Sequence, residues 1–431
     1  MKHSNGLTES NYFYLESPLF TGKLTNGLTV YLQNRKDFHE TYVTLSVHFG
    51  AAHTHLKLNN SSELSTYPAG VAHFLEHKLF EGKNGTDFLQ EFSKMGAYAN
   101  AYTGLYQTTY LFSTTENIST GLILLRDLVK ELTVSEESVE REREIIGQEI
   151  DMYYDDPDSR LYAEILASLY PSTPLANDIA GSRFSIQEIS PDVLHEQFRL
   201  FYHPQNMVLF VVGDVDITQM WQEIQTIYSD WQNENSLLEA VPMSLQPVLE
   251  HRTITLEVAS PKLAIGIRGK DAIAKEDLFR YRLSLSLLFS MLCGWTSKRY
   301  QNLYQQGKID ASLSFHLGVS EQAHFWVLTV DTSEPIALSS VLRKAIRQFE
   351  SDPDVNEEHL ALVKREAYGD FLRGLNSLEN LASNFTASIF DSGCLFDIPD
   401  LLDDIELEEI IEIGRRFIGN CDMTDFTIFP K

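Results

Sequence analysis

The sequence predicts an α+β protein of two similar domains, each a mostly antiparallel sheet with helices packed on one side. Three observations predict it. At 431 residues and 43% hydrophobic, the chain is too long for one ordinary core and carries apolar material for two. Residues 231–251, WQNENSLLEAVPMSLQPVLEH, are polar, contain two prolines and show no period, as a linker does. The order of elements before that stretch also recurs after it. The predicted organisation is therefore a domain over 1–230, a linker over 231–251 and a domain over 252–431.

The recurrence runs in order along the chain. TYVTLSVHFGA, near residue 46, has a counterpart in SPKLAIGIRGK, near 265. The helix after Glu137 is matched by NEEHLALVKREAYGDFLRGLNSLENLASNF, and EQFRLFYHPQNMVLFVVG by the terminal EIGRRFIGNCDMTDFTIFPK. Within the first of each pair of closing segments, Met207 to Val212 has the composition of a fully buried strand. Residues 96–115, GAYANAYTGLYQTTYLFSTT, alternate small and large side chains around Gly104 and predict a hairpin or two adjacent strands.

The chemistry concentrates in the first half. GVAHFLEHKLFEG, residues 70–82, predicts a short helix in which His73, Glu76 and His77 share a sector about 100° wide. Val71, Phe74, Leu75 and Leu79 fall on the opposite side, so one face packs and the other presents electron donors. Imidazoles at i and i+4 can share one metal ion, for which Zn²⁺ is the usual occupant. A carboxylate beside them is placed to take a proton from a water. A bare His-x-x-x-His pair is more readily two exposed or hydrogen-bonded core histidines; the glutamate and the segregated faces shift the balance toward the metal.

A third ligand is sought on SVEREREIIGQEIDMYYDDP, residues 138–157, a helix that stops before Pro157. Its apolar side carries Ile145, Ile146, Ile150 and Tyr153, with Glu142 and Glu149 in the middle. Arg141, Arg143, Glu140 and Glu144 make the opposite, solvated face. Carboxylates among isoleucines are costly to bury unless something positive compensates them. Glu149 is the predicted third ligand, and Glu142 the group that orients an imidazole. The other reading is a half-exposed helix whose glutamates reach water.

His-x-x-E-His is the inverted zinc motif. With the downstream helix, the sequence resembles the M16 (pitrilysin/insulinase, inverzincin) metallopeptidases over nearly its whole length. The likeness is greater to their short bacterial two-domain branch, related to the mitochondrial processing peptidase. The resemblance implies one Zn²⁺ per chain on His73, His77 and Glu149, with Glu76 as general base and Glu142 as the family's second acidic position. It implies that Asn100-Ala101-Tyr102-Thr103 forms an edge strand, where Asn100 and Ala101 bind an extended peptide by strand addition. It further implies that the chain is half of a clamshell dimer closing around a chamber.

In the second half, LFSMLCGWTSKRYQNLYQQG stands where the motif stood and contains no histidine, so no metal is expected there. The family's C-terminal domain carries an arginine and a tyrosine that hold substrate, yet residues 312–330, SLSFHLGVSEQAHFWVLTV, contain neither. Arg299, Tyr300 and Tyr304 lie shortly before. The resemblance thus implies a zinc endopeptidase of short or unfolded peptides, completed by a homologous zinc-less subunit. The alternatives are a self-sufficient homodimer and a non-catalytic structural or peptide-binding subunit.

Composition sets the remaining bounds. A net charge of −27 argues against a nucleic-acid partner. Cys293, Cys394 and Cys421 are odd in number and widely spaced, which predicts a reducing, cytoplasmic setting without disulfides. The N-terminal MKHSNGLTESNYFY lacks the apolar core of a signal peptide. LSLSLLFSMLCGW, residues 283–295, is too short to span a bilayer and predicts a buried helix. No phosphate loop and no nucleophile elbow occur. His53 and His55 are expected at the surface.

Overall fold

The computed structural model describes residues 3–4, 6–58, 64–232, 238–239 and 241–431. Parts of the N-terminal stretch, of the polar loop after His55 and of the expected linker lie outside the described residues.

Two compact units are present, and each is discontinuous in sequence. The first holds residues 1–151, 177–241 and 375–386; the second holds 152–176, 242–374 and 387–431. In the first, an eight-stranded sheet runs in the order His3–Ser4, Leu7–Ser10, Leu19–Lys23, Thr29–Asn34, Met207–Gly213, Thr41–Val47, Thr108–Thr114, Tyr98–Thr103. Met207–Gly213 is parallel to Thr29–Asn34; the other pairings are antiparallel. The second has five strands, Arg252–Leu256, Asp422–Pro430, Lys262–Arg268, His324–Asp331, Ser314–Val319, again with one parallel pair, Arg252–Leu256 against Asp422–Pro430.

The repeated plan is therefore a shared topology. Thr41–Val47 and Lys262–Arg268 each lie between the strand that closes their half and the long strand of a hairpin. Met207–Gly213 is buried at every position, as its unbroken apolar run requires.

One face of each sheet carries its helices and main core. Leu32, Val43, Phe112 and Val211 belong to the first cluster, and Leu263, Ile265, Trp326 and Leu328 to the second. The opposite face is also covered, by a helix from the other half of the chain. In the second unit, Ile165 and Leu169 of helix Pro157–Leu169 pack so closely on Gly266 that a Cβ there would lie 2.8 Å from Leu169. In the first unit, Phe385 of helix Leu378–Phe390 meets Tyr31 and Phe210 at ring-centroid separations of 4.9 and 4.4 Å. Thr386 shares a 3.3 Å hydrogen bond with Thr44. Each unit therefore takes residues from both sides of 231–251, because an apolar helix face is covered by whichever sheet accepts it.

Leu278–Cys293 is a buried helix, as the run at 283–295 predicts. Among the described residues no helix is long and apolar enough to cross a membrane. All three cysteines are free. His53 and His55 are half-buried rather than at the surface. The His53 ring packs near Phe49, Phe201 and Tyr106, and its Nδ1 accepts the Gly50 N–H at 3.0 Å.

Candidate metal centre

The motif helix, Val71–Leu79, starts at a tight joint. Gly70 takes φ +90° and Gly181 φ +79°, both in the left-handed region. A Cβ on Gly70 would stand 2.4 Å from the Ala180 carbonyl oxygen, and one on Gly181 2.4 Å from that of Ala69. Only glycines let these two segments approach so closely, and the contact fixes the helix start. Val71, Phe74, Leu75 and Leu79 then enter the core.

On the opposite side His73, His77 and Glu149 converge, with one ligand atom of each within 4.8 Å of the others. His73 Nε2 lies 3.6 Å from Glu149 Oε1, and His77 Nε2 3.6 Å from Glu149 Oε2. Those separations are too long for hydrogen bonds. Donors bound tetrahedrally at about 2.1 Å stand about 3.4 Å apart, so the spacing fits a shared Zn²⁺. Of the remaining ring nitrogens, only that of His77 has the partner usual for a ligating histidine. His77 Nδ1 is 3.0 Å from Glu142 Oε1, which leaves Nε2 facing Glu149. His73 Nδ1 is buried without a partner.

Glu142 thus stands where an orienting carboxylate is expected, and it is 7% exposed. Burial would raise its pKa, but the hydrogen bond and charge of His77, with Lys78, outweigh that and lower it. Burial pushes His73 down to about 3, helped by its neighbour His77. For His77 burial acts downward as well, yet Glu142, Glu76 and Glu149 prevail and its pKa is raised. Glu76, 8% exposed, is pushed up to about 7 by burial; Thr103 and His77 oppose the shift.

Two contacts escaped the sequence reading. Lys78 is fully buried, its Nζ 2.6 Å from Glu81 and 3.6 Å from Glu142. It lies seven residues after Val71 and so on the packed face, where a lysine signals a buried counter-charge. Thr103 Oγ1 donates to Glu76 Oε2 at 2.5 Å. Finding that bond required knowing that the hairpin packs against the motif helix.

The second helix, Glu136–Asp155, has a narrower apolar side than its projection predicts. Ile146 is buried and Ile150 packs on the core, but Ile145 is 55% exposed. On the opposite side, Arg143 is held against the protein by the Ile186 and Ile189 carbonyls instead of being solvated.

Asn100 and Ala101 lie on Tyr98–Thr103, the edge strand of the first sheet. Asn100 Oδ1 accepts the Ala101 N–H at 2.9 Å. In the second unit, the strands Ser314–Val319 and His324–Asp331 form the matching edge hairpin, without arginine or tyrosine. Arg299 is occupied elsewhere, bound to Asp352 and the Leu292 carbonyl. Tyr300 and Tyr304 stack on each other.

Known proteins resemble the chain along most of its length. Residues 29–183 match the family model described as Insulinase (Peptidase family M16), and residues 188–367 the one described as Peptidase M16 inactive domain. The chain is 34% identical over 428 residues to the uncharacterised zinc protease YmfH of Bacillus subtilis, covering 97% of this chain and 98% of that one. It is 21% identical over 432 residues to the mitochondrial-processing peptidase subunit beta of Blastocladiella emersonii, covering 95% and 88%. The crystal structure of an M16-like peptidase from Alicyclobacillus acidocaldarius superposes with a TM-score of 0.90 at 26% identity, covering 98% and 100%.

Proposed function

The chain belongs to the M16 (insulinase) peptidase family, and on that premise we propose that it is a zinc-dependent endopeptidase of short or unfolded peptides. The observation that carries this reading is the convergence of His73, His77 and Glu149 beside a buried carboxylate, Glu76. His73, His77 and Glu149 would hold one Zn²⁺, and Glu142 would keep His77 in the tautomer whose Nε2 lone pair faces the ion. When bound, the ion supplies Lewis acidity that polarises the peptide carbonyl and acidifies water.

Glu76 does the proton work. It takes a proton as water oxygen bonds to the carbonyl carbon, then delivers it to the amide nitrogen as the C–N bond breaks. Substrate would pair as an added strand with Tyr98–Thr103, at Asn100 and Ala101. Asn100 would then release the Ala101 N–H that its side chain now covers.

The hairpin at 314–331 lacks arginine and tyrosine, which favours completion of the site by a homologous zinc-less subunit closing a chamber with this one. A homodimer and a non-catalytic subunit are the alternatives; the latter has no use for Glu76. The free cysteines support a cytoplasmic location. The test is digestion of a mixed unstructured peptide library by the zinc-loaded chain. Cleavage that disappears in Glu76→Gln supports the reading, and cleavage that survives it refutes the assignment of the base. Zinc bound without cleavage points to the missing subunit.

A further inference from the structure

We propose that Thr103 is a positioning residue for the general base: its hydroxyl holds Glu76 Oε2, so that Oε1 is the oxygen that receives the proton. The inference rests on the endopeptidase reading above and assigns a role within that site.

The geometry begins with strand alternation. Thr103 shares a face of Tyr98–Thr103 with Ala99 and Ala101, both of which pack on the core beside the motif helix. This brings its Oγ1 to 2.5 Å from Glu76 Oε2. A hydroxyl has one hydrogen, and two acceptors are within reach. The other is Thr108 Oγ1, opposite Thr103 in register and 3.3 Å away. Thr108 is itself fully buried and donates to the Phe49 carbonyl at 2.8 Å. The shorter distance and the charge of the carboxylate assign the Thr103 hydrogen to Glu76. The Thr108–Phe49 bond keeps the Thr103 side of the hairpin in place.

Without that bond, a buried glutamate on a nine-residue helix has three rotatable bonds and, among the described residues, no hydrogen bond to hold either carboxylate oxygen. The hydroxyl converts it into a group with one oxygen committed and one open. It also links two functions: the strand proposed to receive the substrate backbone ends on the residue that aims the base.

The second unit offers an internal control. Its edge hairpin has the same form, with Val319 opposite His324 as the last pair before a turn closed by Ser320 and Ala323. In the first unit that place belongs to Thr103 opposite Thr108, before a turn closed by Gly104 and Gln107. Where the motif helix carries a base there is a threonine; where its counterpart has none, the position is a buried valine. The hydroxyl is not needed to build the hairpin.

The experiment compares wild type, Thr103→Val, Thr103→Ser and Glu76→Gln, each loaded with zinc. In peptide cleavage, Thr103→Val should lose kcat on the order of 10- to 100-fold with KM within about twofold, and Thr103→Ser should recover most of it. Zinc content and melting temperature should stay at wild-type values in both. Crystal structures provide a readout independent of turnover: Glu76 should keep its place in Thr103→Ser and turn away or split between conformers in Thr103→Val. Unchanged kcat in Thr103→Val, or an undisturbed Glu76 in its crystal, overturns the inference. Cleavage retained by Glu76→Gln instead overturns the assignment of Glu76 as the base, on which this inference rests.

Discussion

The motif helix of the first unit and the helix at the same place in the second, Leu278–Cys293, are built on one topology with opposite interiors. The second buries Leu285, Leu288, Phe289, Met291 and Leu292 and needs nothing from its neighbours but volume. The first buries His73, Glu76 and Lys78 in nine residues and faces a helix carrying the buried Glu142. The fold evidently does not require those charges, since its other copy does without them. Groups that cost several kcal/mol each to desolvate lie in the first unit beside specific partners: Glu142 beside His77 and Lys78, and Glu76 beside Thr103.

That contrast can be broken most sharply at the base. Glu76→Gln should reduce peptide cleavage by about 10²- to 10⁴-fold, the usual worth of general base catalysis, while bound zinc stays at the wild-type level. A stopped assay with zinc counted on the same sample checks both halves of the statement.

The next largest effect belongs to Lys78. Lys78→Met removes the ammonium beside the part-exposed Glu81 and the buried Glu142, which keeps His77, so stability should fall by about 1–3 kcal/mol. Urea unfolding followed by fluorescence reads it. A loss below about 1 kcal/mol would show that water reaches the pair, as at an exposed ion pair.

Glu142→Gln sharpens the comparison within the site itself. It keeps an oxygen near His77 Nδ1 and removes the negative charge, so zinc affinity should fall by about 10- to 100-fold without abolition. Competition with a chelator measures it.

The smallest expected effect lies in the second unit, at the half-buried carboxylate of Asp271. Asp271 receives His324 Nε2 at 2.9 Å and the Tyr281 hydroxyl at 3.0 Å. Burial would raise its pKa, but the His324 and Tyr281 bonds prevail and lower it below the ordinary 3.8. A carboxylate whose folded pKa is depressed contributes stability above its unfolded pKa and loses it as pH falls through the folded value. Asp271→Asn should therefore destabilise by about 1–2 kcal/mol at pH 7. The gap from wild type should shrink as unfolding is measured at lower pH, toward pH 4 and below.

Much of this was readable in the chain, for local reasons. His73, Glu76 and His77 share a face by helix geometry alone, and Glu142 and Glu149 declare themselves as carboxylates on an apolar side. Met207–Gly213 is legible from composition, and the recurrence of elements revealed two similar sheets. What was not legible depends on which surfaces meet. Ile145 was placed inward by its projection, yet no element covers it. Periodicity shows that Pro157–Leu169 and Leu378–Phe390 have apolar faces but not which sheet takes each one. Thr103 differs from any strand threonine only through the helix behind it. Lys78 is the exception, since its place on Val71's side of the helix was available from the start.

The most direct test of the account is a zinc count on the dialysed chain and on Glu149→Gln and Glu76→Gln. The account predicts one ion per chain in wild type and in Glu76→Gln, and none retained in Glu149→Gln. A full complement in Glu149→Gln would contradict it, since the ion would then be held by residues other than His73, His77 and Glu149.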